Sequence, residues 1–376
     1  MPKNVLILRA TPINPDPRVE KIGRALLQAG FSVMALGWDR SGNLPLQETT
    51  AGFPIRRLVV PASPQHGLRN APDLARWQAV LLNWLRQHRR EYDVIHACDF
   101  DTVTAALWAR RLWGKKVVYD IFDFYTDMLR ATPRAVKTAL RALDFSAIAE
   151  ADAVILADES RRSQIAGSHP RRLEFVYNVP EDQLPALQAA SQAARDPSVH
   201  LRLAYAGLLQ VERGLLPLLE VLSRHPEWTL DLAGEGAERG LVLKEAGALP
   251  NVTYHGIITY QAALQMNYSA DVLPAFYNPT IPNHRYASPN KLFEGMMLGR
   301  PLLAARGAGF DRLVASLYCG LVVDYGDVSQ LETALRTLED PSLRHRLGQS
   351  GRRAYEETYS WPRMAERLIK LYHDLL

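Results

Sequence analysis

Short runs of Val, Ile and Leu recur along the first half of the chain, and segments with helical periodicity separate them. The runs lie at residues 4–10, 31–38, 54–60, 92–97, 115–121, 151–157 and 173–178. Within each run the apolar residues are continuous rather than alternating, which is typical of strands buried on both faces of a parallel sheet. The pattern therefore predicts a parallel sheet covered by helices.

The same alternation starts again in the second half, after a polar, alanine-rich stretch at 180–200 that we interpret as a linker. The later runs lie at residues 201–207, 228–234, 251–256, 270–276, 301–305 and 320–325. Two successive series predict two doubly wound α/β domains, 1–180 and 200–358, with ligands at the carboxyl ends of the strands. The final residues, 360–376, form a separate amphipathic helix that could cap its own domain or return to the first.

Composition places the chain among soluble globular proteins. Its 376 residues are 47% hydrophobic and 22% charged, which is ordinary for such proteins. The two cysteines, Cys98 and Cys319, are too few for a disulfide framework and lack zinc-site spacing. No apolar stretch approaches the ~20 residues of a membrane span, and the first run breaks at Arg9, unlike a secretory signal. We therefore expect a cytoplasmic protein, and its net charge of +4 suits anionic partners.

The stretch with the most distinctive chemistry is YASPNKLFEGMMLGRPLLAA, residues 286–305. It predicts a helix that starts at Pro289 with Ser288 as its cap. Free N–H groups at such a start bind anions, and Lys291 adds positive charge there against the helix dipole, at a cost of roughly 0.3 kcal/mol. Glu294 follows on the same face, where it can bond hydroxyls. The alternative is a surface pair of Lys291 and Glu294 worth under ~0.5 kcal/mol.

A second candidate site lies in YAGLLQVERGLLPLLEVL, residues 205–222. Gly207 follows a strand directly and permits close backbone approach. Arg213 starts the next helix, and its planar guanidinium suits phosphate oxygens. The alternative is an ordinary strand-to-helix turn with an exposed arginine. Another glycine-rich turn, LAGEGAERG at 232–240, matches neither the dinucleotide GxGxxG pattern nor a P-loop.

The order of these segments resembles the donor-binding domain of GT-B fold glycosyltransferases, and most of all glycosyltransferase family four. The segments that carry the resemblance are the glycine–arginine stretch at 205–222, the turn at 232–240, YHG at 254–256, ADVLPAF at 270–276 and SPNKLFEGMMLGRPLLA at 288–304. Residues 16–36 and 96–120 are similar to that family's acceptor half, and residues 359–372 to its C-terminal helix. The resemblance implies two Rossmann-like domains that face a cleft, with the C-terminal helix crossing back to the first.

The resemblance also implies roles for residues of the second domain. Those assigned to donor binding or catalysis are Gly207, Arg213, Ile258, Ser288, Pro289, Asn290, Lys291 and Glu294. Arg213 and Lys291 would neutralise a nucleotide diphosphate, Glu294 would bond the ribose, and the segment around Ile258 would contact the base. Such enzymes are usually metal-independent, because positive side chains and helix dipoles stabilise the leaving group. We therefore expect no metal and no cofactor besides the nucleotide-sugar substrate.

Several positions depart from the family's usual pattern. In the second domain, Tyr286 stands where a glutamate is often found, Leu208 where an arginine is usual, and Arg213 where a lysine is common. In the first domain, Phe122 and Asp123 stand where relatives often carry His-Glu, and Cys98 stands where a histidine is common. The resemblance implies a retaining reaction, in which the donor phosphate itself takes the acceptor proton. An inverting enzyme would instead need a carboxylate or histidine base.

The first domain offers three carboxylates for such a base, Asp123, Asp99 and Asp101. We assign Asp123 to catalysis and Asp99 to substrate binding, although each of the three could equally end a strand or cap a helix. The letters DFD at 99–101 fit an Asp-x-Asp metal pattern, but we interpret them as a loop after the strand at 92–97. In the second domain, the loop at 277–287 could contact the donor sugar and determine its specificity through Tyr277, His284 and Arg285. Arg285 would suit an acidic sugar.

Two basic helices are predicted in the first domain, at 73–90 and 130–143. For the first we favour an ordinary packed helix. The second places Arg134, Lys137 and Arg141 on roughly one face, as in helices that lie on anionic bilayers. The second helix is therefore either an ordinary packed helix or one that binds peripherally at the inner membrane surface, and in the latter case the acceptor is a lipid-linked saccharide.

Taken together, these features predict a glycosyltransferase that moves a sugar from a nucleotide-diphosphate sugar to a saccharide or lipid-linked acceptor, in cell-surface polysaccharide or glycoconjugate synthesis. Two alternatives stay open, a nucleotide-sugar epimerase of the same architecture and a non-catalytic nucleotide-sugar-binding protein. An RNA-binding protein is disfavoured, because the positive charge is dispersed and no recognition motif is present.

Overall fold

The computed structural model describes residues 3–62, 71–129, 132–190 and 199–376. It divides the chain into two compact units, Met1–Asn178 with Met364–Leu376, and Val179–Arg363. Each unit has its own parallel β-structure and its own hydrophobic core. The predicted class of two Rossmann-like α/β domains is confirmed.

The first unit is built around one eight-stranded sheet. Its strands are β1 (Asn4–Arg9), β2 (Ser32–Asp39), β3 (Gln47–Thr50), β4 (Phe53–Val59), β5 (Val94–Cys98), β6 (Lys116–Ile121), β7 (Ala153–Leu156) and β8 (Leu173–Phe175). They lie in the order β3-β4-β2-β1-β5-β6-β7-β8, and β3 pairs antiparallel with β4 while the other pairs are parallel. Strands β5 and β7 are buried along their whole length, which explains their unbroken apolar runs.

The helices of the first unit connect these strands. They are α1 (Pro17–Gln28), α2 (Ala71–Gln87), α3 (Phe100–Trp113), α4 (Tyr125–Met128) and α5 (Arg134–Glu150), and a 3₁₀ segment, Glu159–Ile165, follows β7. Helix α1 begins where the sequence supplies a cap, because the Asp16 side chain accepts a hydrogen bond from the Val19 N–H at 3.2 Å. Pro17 takes the first helical position, where its missing N–H leaves no bond unmade.

Helix α2 packs against the sheet through its apolar face. Trp77, Leu81 and Leu85 are fully buried, and the Trp77 ring stacks on Trp38 with 4.9 Å between the ring centroids. The prediction that this helix is an ordinary packed helix is confirmed. Helix α5 starts at Arg134, and residues 130 and 131 of the predicted basic helix lie outside the described part of the chain.

The strands of the second unit form two groups of three. They are β9 (Leu201–Ala206), β10 (Trp228–Ala233), β11 (Val252–Tyr254), β12 (Leu273–Ala275), β13 (Leu302–Ala305) and β14 (Gly320–Val323). The groups are ordered β11-β10-β9 and β12-β13-β14, and a parallel bridge between Leu203 and Val272 joins them. The helices are α6 (Leu184–Ala190), α7 (Leu215–Arg224), α8 (Arg239–Ala246), α9 (Tyr260–Ser269), α10 (Asn290–Leu298), α11 (Asp311–Ser316), α12 (Val328–Thr337) and α13 (Pro341–Ala354).

The last helix, α14 (Trp361–Leu375), packs on the first unit. The Tyr372 hydroxyl lies 2.9 Å from Nδ1 of His96 on β5, and Nε2 of the same ring lies 3.2 Å from Asp120 on β6. All three side chains are buried. The predicted return of the C-terminal helix is therefore confirmed, and the alternative that it caps its own domain is wrong.

Two elements differ from the sequence-based prediction. Strand β3 lies at the edge of its sheet with alternately exposed side chains, so it lacks the apolar run that reveals buried strands. The predicted linker contains α6, and its first residues are bonded within the second unit. The Pro180 carbonyl accepts from the Tyr355 hydroxyl at 2.9 Å, and Arg352 pairs with Asp182. Residues 180–190 are thus not a linker, and residues 191–198 lie outside the described part of the chain.

Among the described residues, no helix is both long enough and apolar enough to cross a lipid bilayer.

Candidate functional site

Helix α10 begins one residue later than predicted, at Asn290, and Pro289 rather than Ser288 occupies the cap position. Pro289 is extended, with ψ at 140°, and no side chain caps the helix. The Ser288 hydroxyl oxygen is buried and has no hydrogen-bond partner among the described residues. The predicted serine cap is wrong, because the extended proline separates the serine hydroxyl from the helix. A helix start without a side-chain cap keeps N–H groups that an anion can bind.

Lys291 lies in the first turn of α10 and reaches back to the end of β9. Its Nζ donates to the Ala206 carbonyl at 2.8 Å and lies 3.9 Å from the centroid of the Tyr205 ring. Burial lowers the pKa of this ammonium to about 8, while Glu294 opposes the shift and Arg213 adds to it. Because Lys291 and Glu294 are each only 9% exposed, the alternative of a solvated surface pair is wrong.

Glu294 lies one turn further along α10 and is also buried. Burial raises the pKa of its carboxyl, whereas Lys291 and a hydrogen bond from the Tyr260 hydroxyl lower it. Tyr260 is the first residue of α9 and is 57% exposed. The Glu294 carboxyl therefore accepts a hydrogen bond from a hydroxyl group on a side chain that solvent can reach.

Arg213 ends the 3₁₀ segment Val211–Arg213, and its guanidinium carbon lies 3.9 Å from the centroid of the Tyr277 ring. Its Nε and Nη1 are buried and have no hydrogen-bond partner within the described residues. Unpaired buried donors on a fixed charge are costly. The guanidinium also lies close enough to Lys291 to lower its pKa. Two cations therefore converge here, and since Arg213 is half-buried the alternative of a plain exposed arginine is wrong.

Two glycine-rich turns lie side by side at the carboxyl ends of β9 and β10. The Leu209 N–H donates to the Glu235 carbonyl at 2.9 Å. A Cβ on Gly234 would lie 1.9 Å from the Gly207 carbonyl oxygen, and one on Gly236 would lie 2.4 Å from that of Leu209. Close backbone packing of the turns therefore explains these glycines.

Ile258 lies in the turn that follows β11. The Gly234 N–H donates to the Gly256 carbonyl at 2.8 Å, so this turn is adjacent to the one after β10. Ile258 is half-buried, whereas its neighbour Ile257 is 74% exposed. The turns after β9, β10 and β11 therefore form one row, with an exposed apolar side chain at its far end.

The loop at 277–287 is held by its own contacts and by neighbouring segments, since the Asn278 N–H donates to the Glu212 carbonyl at 3.1 Å. His284 is buried, its Nδ1 lies 3.1 Å from the Asn278 carbonyl, and its ring meets Tyr277 edge-on at 5.2 Å between centroids. Arg285 is exposed and donates to the Pro279 carbonyl at 2.8 Å. The structure thus gives His284 a packing role and leaves Tyr277 beside Arg213.

In the first unit, Asp99 follows β5 with a positive φ of 64°, which non-glycine residues adopt rarely. Its Oδ1 accepts from the N–H groups of Phe122 at 2.8 Å and Asp123 at 3.3 Å, and its Oδ2 pairs with Arg9. Burial raises the pKa of Asp99 to about 6, although Arg9 and the Phe122 N–H lower it. Asp99 therefore fixes the turn after β6, with both carboxylate oxygens engaged.

Asp123 lies in that turn, and its side chain is 44% exposed. Its Oδ1 lies 3.0 Å from Nη2 of Arg161, which belongs to the 3₁₀ segment after β7 and is only 5% exposed. This ion pair engages one of the two carboxylate oxygens of Asp123. The structure therefore places the predicted base in an ion pair.

The two aspartates of the Asp-x-Asp pattern at 99–101 lie in different environments. Asp99 is bonded as described, whereas Asp101 lies in the first turn of α3, where burial raises the pKa of its carboxyl. The Asp101 carbonyl accepts from Nε1 of Trp77 at 3.0 Å. Across residues 3–62, 71–129, 132–190 and 199–376, no group of three or more His, Cys, Asp or Glu side chains could hold a metal ion.

Sequence reasoning missed several residues of these two regions. Arg9 ends β1 and Tyr260 starts α9, so a survey of strand ends and helix starts would have included them. Tyr205, within β9, carried no signal apart from its apolar strand. Arg161 is separated from its partner Asp123 by 38 positions, and only the fold brings the two together.

Two family models match the chain, one in each half. A model described as a glycosyl transferase 4-like domain matches residues 15–178. A model described as glycosyl transferase-like matches residues 213–370. The first match lies within the first unit, and the second covers most of the second unit and part of α14.

Similar proteins and structures extend over nearly the whole chain. D-inositol 3-phosphate glycosyltransferase of Rhodococcus jostii is 24% identical over 356 residues, which cover 88% of this chain and 78% of the relative. Sucrose-phosphate synthase from Thermosynechococcus elongatus has a TM-score of 0.79 at 20% identity, over 99% of both chains. Anabaena HepE, solved with UDP and glucose, has a TM-score of 0.69 at 15% identity, over 98% of this chain and 99% of its own.

Proposed function

Because the chain is a GT-B glycosyltransferase of the family four type, we propose that it moves a sugar from a nucleotide-diphosphate donor to a saccharide or lipid-linked acceptor. The donor binds to the second unit at the carboxyl ends of β9 and β10 and the start of α10. A uridine nucleotide is the first candidate, since Anabaena HepE was solved with UDP.

One observation carries this proposal, the convergence of Arg213 and Lys291 at an uncapped helix start. Arg213 has two buried donors without a partner in the described residues, and burial lowers the pKa of Lys291 to about 8. Both features are unfavourable in the absence of a ligand, and both are relieved when a diphosphate supplies negative charge and acceptor oxygens. Glu294 lies one turn beyond, where it accepts the ribose hydroxyls in place of Tyr260.

The cations also serve the reaction itself. When the bond between the anomeric carbon and the phosphate oxygen breaks, negative charge accumulates on the departing diphosphate. Arg213, Lys291 and the N–H groups of α10 stabilise that charge from fixed positions, so little reorganisation is needed in the transition state. We propose that these groups take the role that a divalent cation has in other transferases, and that the reaction needs no added metal.

We further propose that the sugar is transferred with retention of configuration. The acceptor oxygen forms its bond to the anomeric carbon on the face that the diphosphate leaves, and the acceptor proton passes to a phosphate oxygen. The state of the first unit's carboxylates supports this proposal. Asp99 uses both of its oxygens in bonds to Arg9 and backbone N–H groups, and Asp123 is paired with Arg161.

The acceptor belongs, in this proposal, to cell-surface polysaccharide or glycoconjugate synthesis at the inner face of a membrane. The N-terminal part of α5 supports this location through Arg134, which is exposed, and Lys137, which is half-buried. Arg141, the third member of the predicted basic face, donates to the Gln164 carbonyl at 2.9 Å and is thus partly engaged within the fold.

A nucleotide panel followed by product analysis tests the function. We expect UDP to raise the melting temperature more than ADP or GDP, and we expect a radiolabelled UDP-sugar to yield a glycosylated product with an acceptor mixture in the presence of EDTA. The anomeric configuration of that product reports retention. Donor consumption without an acceptor would favour an epimerase or hydrolase, and nucleotide binding without any turnover would favour a binding protein.

A further inference from the structure

The first unit contains a buried arginine whose donors are mostly unused. Arg161 is 5% exposed, and its Nη2 pairs with one oxygen of Asp123 at 3.0 Å. Its Nε and Nη1 are buried and have no hydrogen-bond partner among the described residues. A buried guanidinium with a single partner is under-satisfied, because this group offers five N–H donors in a fixed plane.

The carboxylate that pairs with Arg161 is held loosely. The Asp123 side chain is 44% exposed and contacts the guanidinium through Oδ1 alone. Its backbone, in contrast, is fixed by the hydrogen bond from its N–H to Asp99 at 3.3 Å. The carboxylate can therefore rotate into solvent without moving the turn that carries it.

Arg161 also lies at the edge of the sheet where α/β folds bind ligands. A continuous set of contacts runs along the carboxyl ends of β1, β5, β6 and β7, from Arg9 through Asp99 and Asp123 to Arg161. Parallel α/β sheets bind substrates beyond these ends. The unused donors are thus next to a ligand-binding edge rather than in a remote part of the core.

We propose that Arg161 binds a phosphate group on the acceptor, and that Asp123 occupies this position until the acceptor arrives. The inference rests on the proposed function and names the chemical class of its acceptor. A phosphate monoester offers three oxygens, so it can accept from Nη2 together with Nε or Nη1, whereas Asp123 uses Nη2 alone. Asp123 is then a displaceable occupant and not the general base.

Binding of inorganic phosphate tests the site without any donor or turnover. The background is the Arg213→Ala variant, which weakens the other phosphate site, and the readout is the Nε–H resonance of Arg161 in ¹⁵N-labelled protein. We expect saturable shifts of this resonance and calorimetric binding that weakens about 10- to 100-fold in Arg161→Gln. Arg111→Gln, which removes an exposed arginine paired with Glu150, is the matched control and should bind phosphate unchanged.

The Asp123→Asn variant distinguishes an occupant from a base and does not depend on the folding of the Arg161 variant. Removal of the competing carboxylate should tighten phosphate binding about threefold to tenfold. It should also lower KM for a phosphorylated acceptor, whereas removal of a general base would lower kcat. Unchanged phosphate affinity, or a kcat that falls by orders of magnitude, would overturn the proposal.

Acceptor assays then identify the source of the phosphate. Hexoses, hexose 6-phosphates, glucuronate and vesicles of phosphatidylcholine with a lipid phosphate are compared as acceptors or competitors. Preference for the soluble esters or for the lipid phosphate supports the proposal and names the source. Equal use of the neutral hexoses, or preference for glucuronate, would refute it. Because phosphate binding to Arg161 requires no donor, failure of this proposal is distinguishable from failure of the proposed transferase activity.

Discussion

The carboxyl-end edges of the two units use charge in opposite ways. In the second unit, Arg213 and Lys291 converge, and Glu294 opposes the lowering of the Lys291 pKa by burial. Two buried donors of Arg213 have no hydrogen-bond partner within the described residues. In the first unit, arginines and aspartates alternate and largely neutralise one another, as in the pairs of Arg9 with Asp99 and Arg161 with Asp123. An edge with uncompensated cations is prepared for a strongly anionic ligand, whereas a neutralised edge must exchange an internal partner before it binds one.

The two edges also differ in how their ionisable groups respond to burial. Burial lowers the pKa of Lys291 to about 8 and raises the pKa of Asp99 to about 6. Each shift disfavours the charged form, so each edge resists the charge that it carries when nothing is bound. The negative charge of a bound donor should raise the pKa of Lys291 back toward its usual value. The pKa of Asp99 in the first unit should stay raised.

The largest expected effect comes from substitutions at the carboxyl-end edge of the second unit, where Arg213 and Lys291 converge. Arg213→Ala and Glu294→Ala should each weaken UDP binding about 100-fold, or roughly 2.7 kcal/mol, because each removes a charge-assisted contact from a buried site. Isothermal titration calorimetry measures the affinity. Arg239→Ala is the control, because Arg239 is an exposed arginine in an i,i+4 pair with Glu235. Wild-type affinity in both test variants would exclude this edge as the donor site.

The pH dependence of the free energy of unfolding tests the carboxyl-end edge of the first unit. The folded-state pKa of Asp99, about 6, lies above its unfolded value near 4, so the folded state binds more protons between these pH values. The contribution of Asp99 to stability is therefore greatest at low pH and falls as the pH rises from about 4 to 6. In Asp99→Asn this fall disappears, and the free energy of unfolding relative to wild type should improve by about 2 kcal/mol between pH 4 and 7.

Urea denaturation at several pH values measures this difference, and Asp152→Asn provides a control of opposite sign. Although burial opposes it, hydrogen bonds from Arg110 and the Val117 N–H lower the pKa of Asp152. Its carboxylate therefore stabilises the fold at neutral pH, and this contribution is lost as the pH falls below about 4. Asp152→Asn should become less stable relative to wild type as the pH rises. Parallel profiles for the two variants would contradict the contrast between them.

A smaller effect concerns the ionisation of Lys291. Since its pKa is about 8 in the ligand-free state, UDP binding near pH 8 should take up a fraction of a proton. Above that pH the affinity should fall by up to about tenfold per pH unit. Calorimetry in two buffers of different ionisation enthalpy measures the uptake, and Lys291→Ala should abolish it. The uracil ring titrates equally in both proteins, so the difference between them reports Lys291.

Much of the fold could be predicted from the sequence, because buried parallel strands require continuous apolar runs that are visible without any tertiary information. The run at 92–97 became β5 and the run at 201–207 became β9. Strand β3 was missed because its sequence, QETT, forms an exposed edge. Strands that are buried in the sheet were predictable from their apolar runs. Strand β3, which is held by backbone pairing with β4 at an exposed edge, was not.

The candidate site was less predictable than the fold. Residues 286–305 indicated an anion-binding helix start, but the proline displaced the expected serine cap by one position. Lys291 was expected in contact with phosphate, and its bond to the Ala206 carbonyl depends on a residue 85 positions away. The pairing of Arg161 with Asp123 is likewise long-range. Residue types suggested the chemistry, and tertiary contacts determine which charges are compensated.

The smallest expected effect concerns the N-terminal part of α5 in the first unit, where Arg134 is exposed. One arginine near an anionic bilayer contributes about 1 kcal/mol to binding, so Arg134→Ala should weaken sedimentation with phosphatidylserine vesicles about fivefold at low salt. Arg86→Ala, which removes an exposed arginine of α2, has the same change in net charge. If both variants lost affinity equally, the attraction would come from overall charge rather than from α5. If the wild-type protein did not sediment even at low salt, peripheral membrane binding would be excluded and the acceptor would be a soluble one.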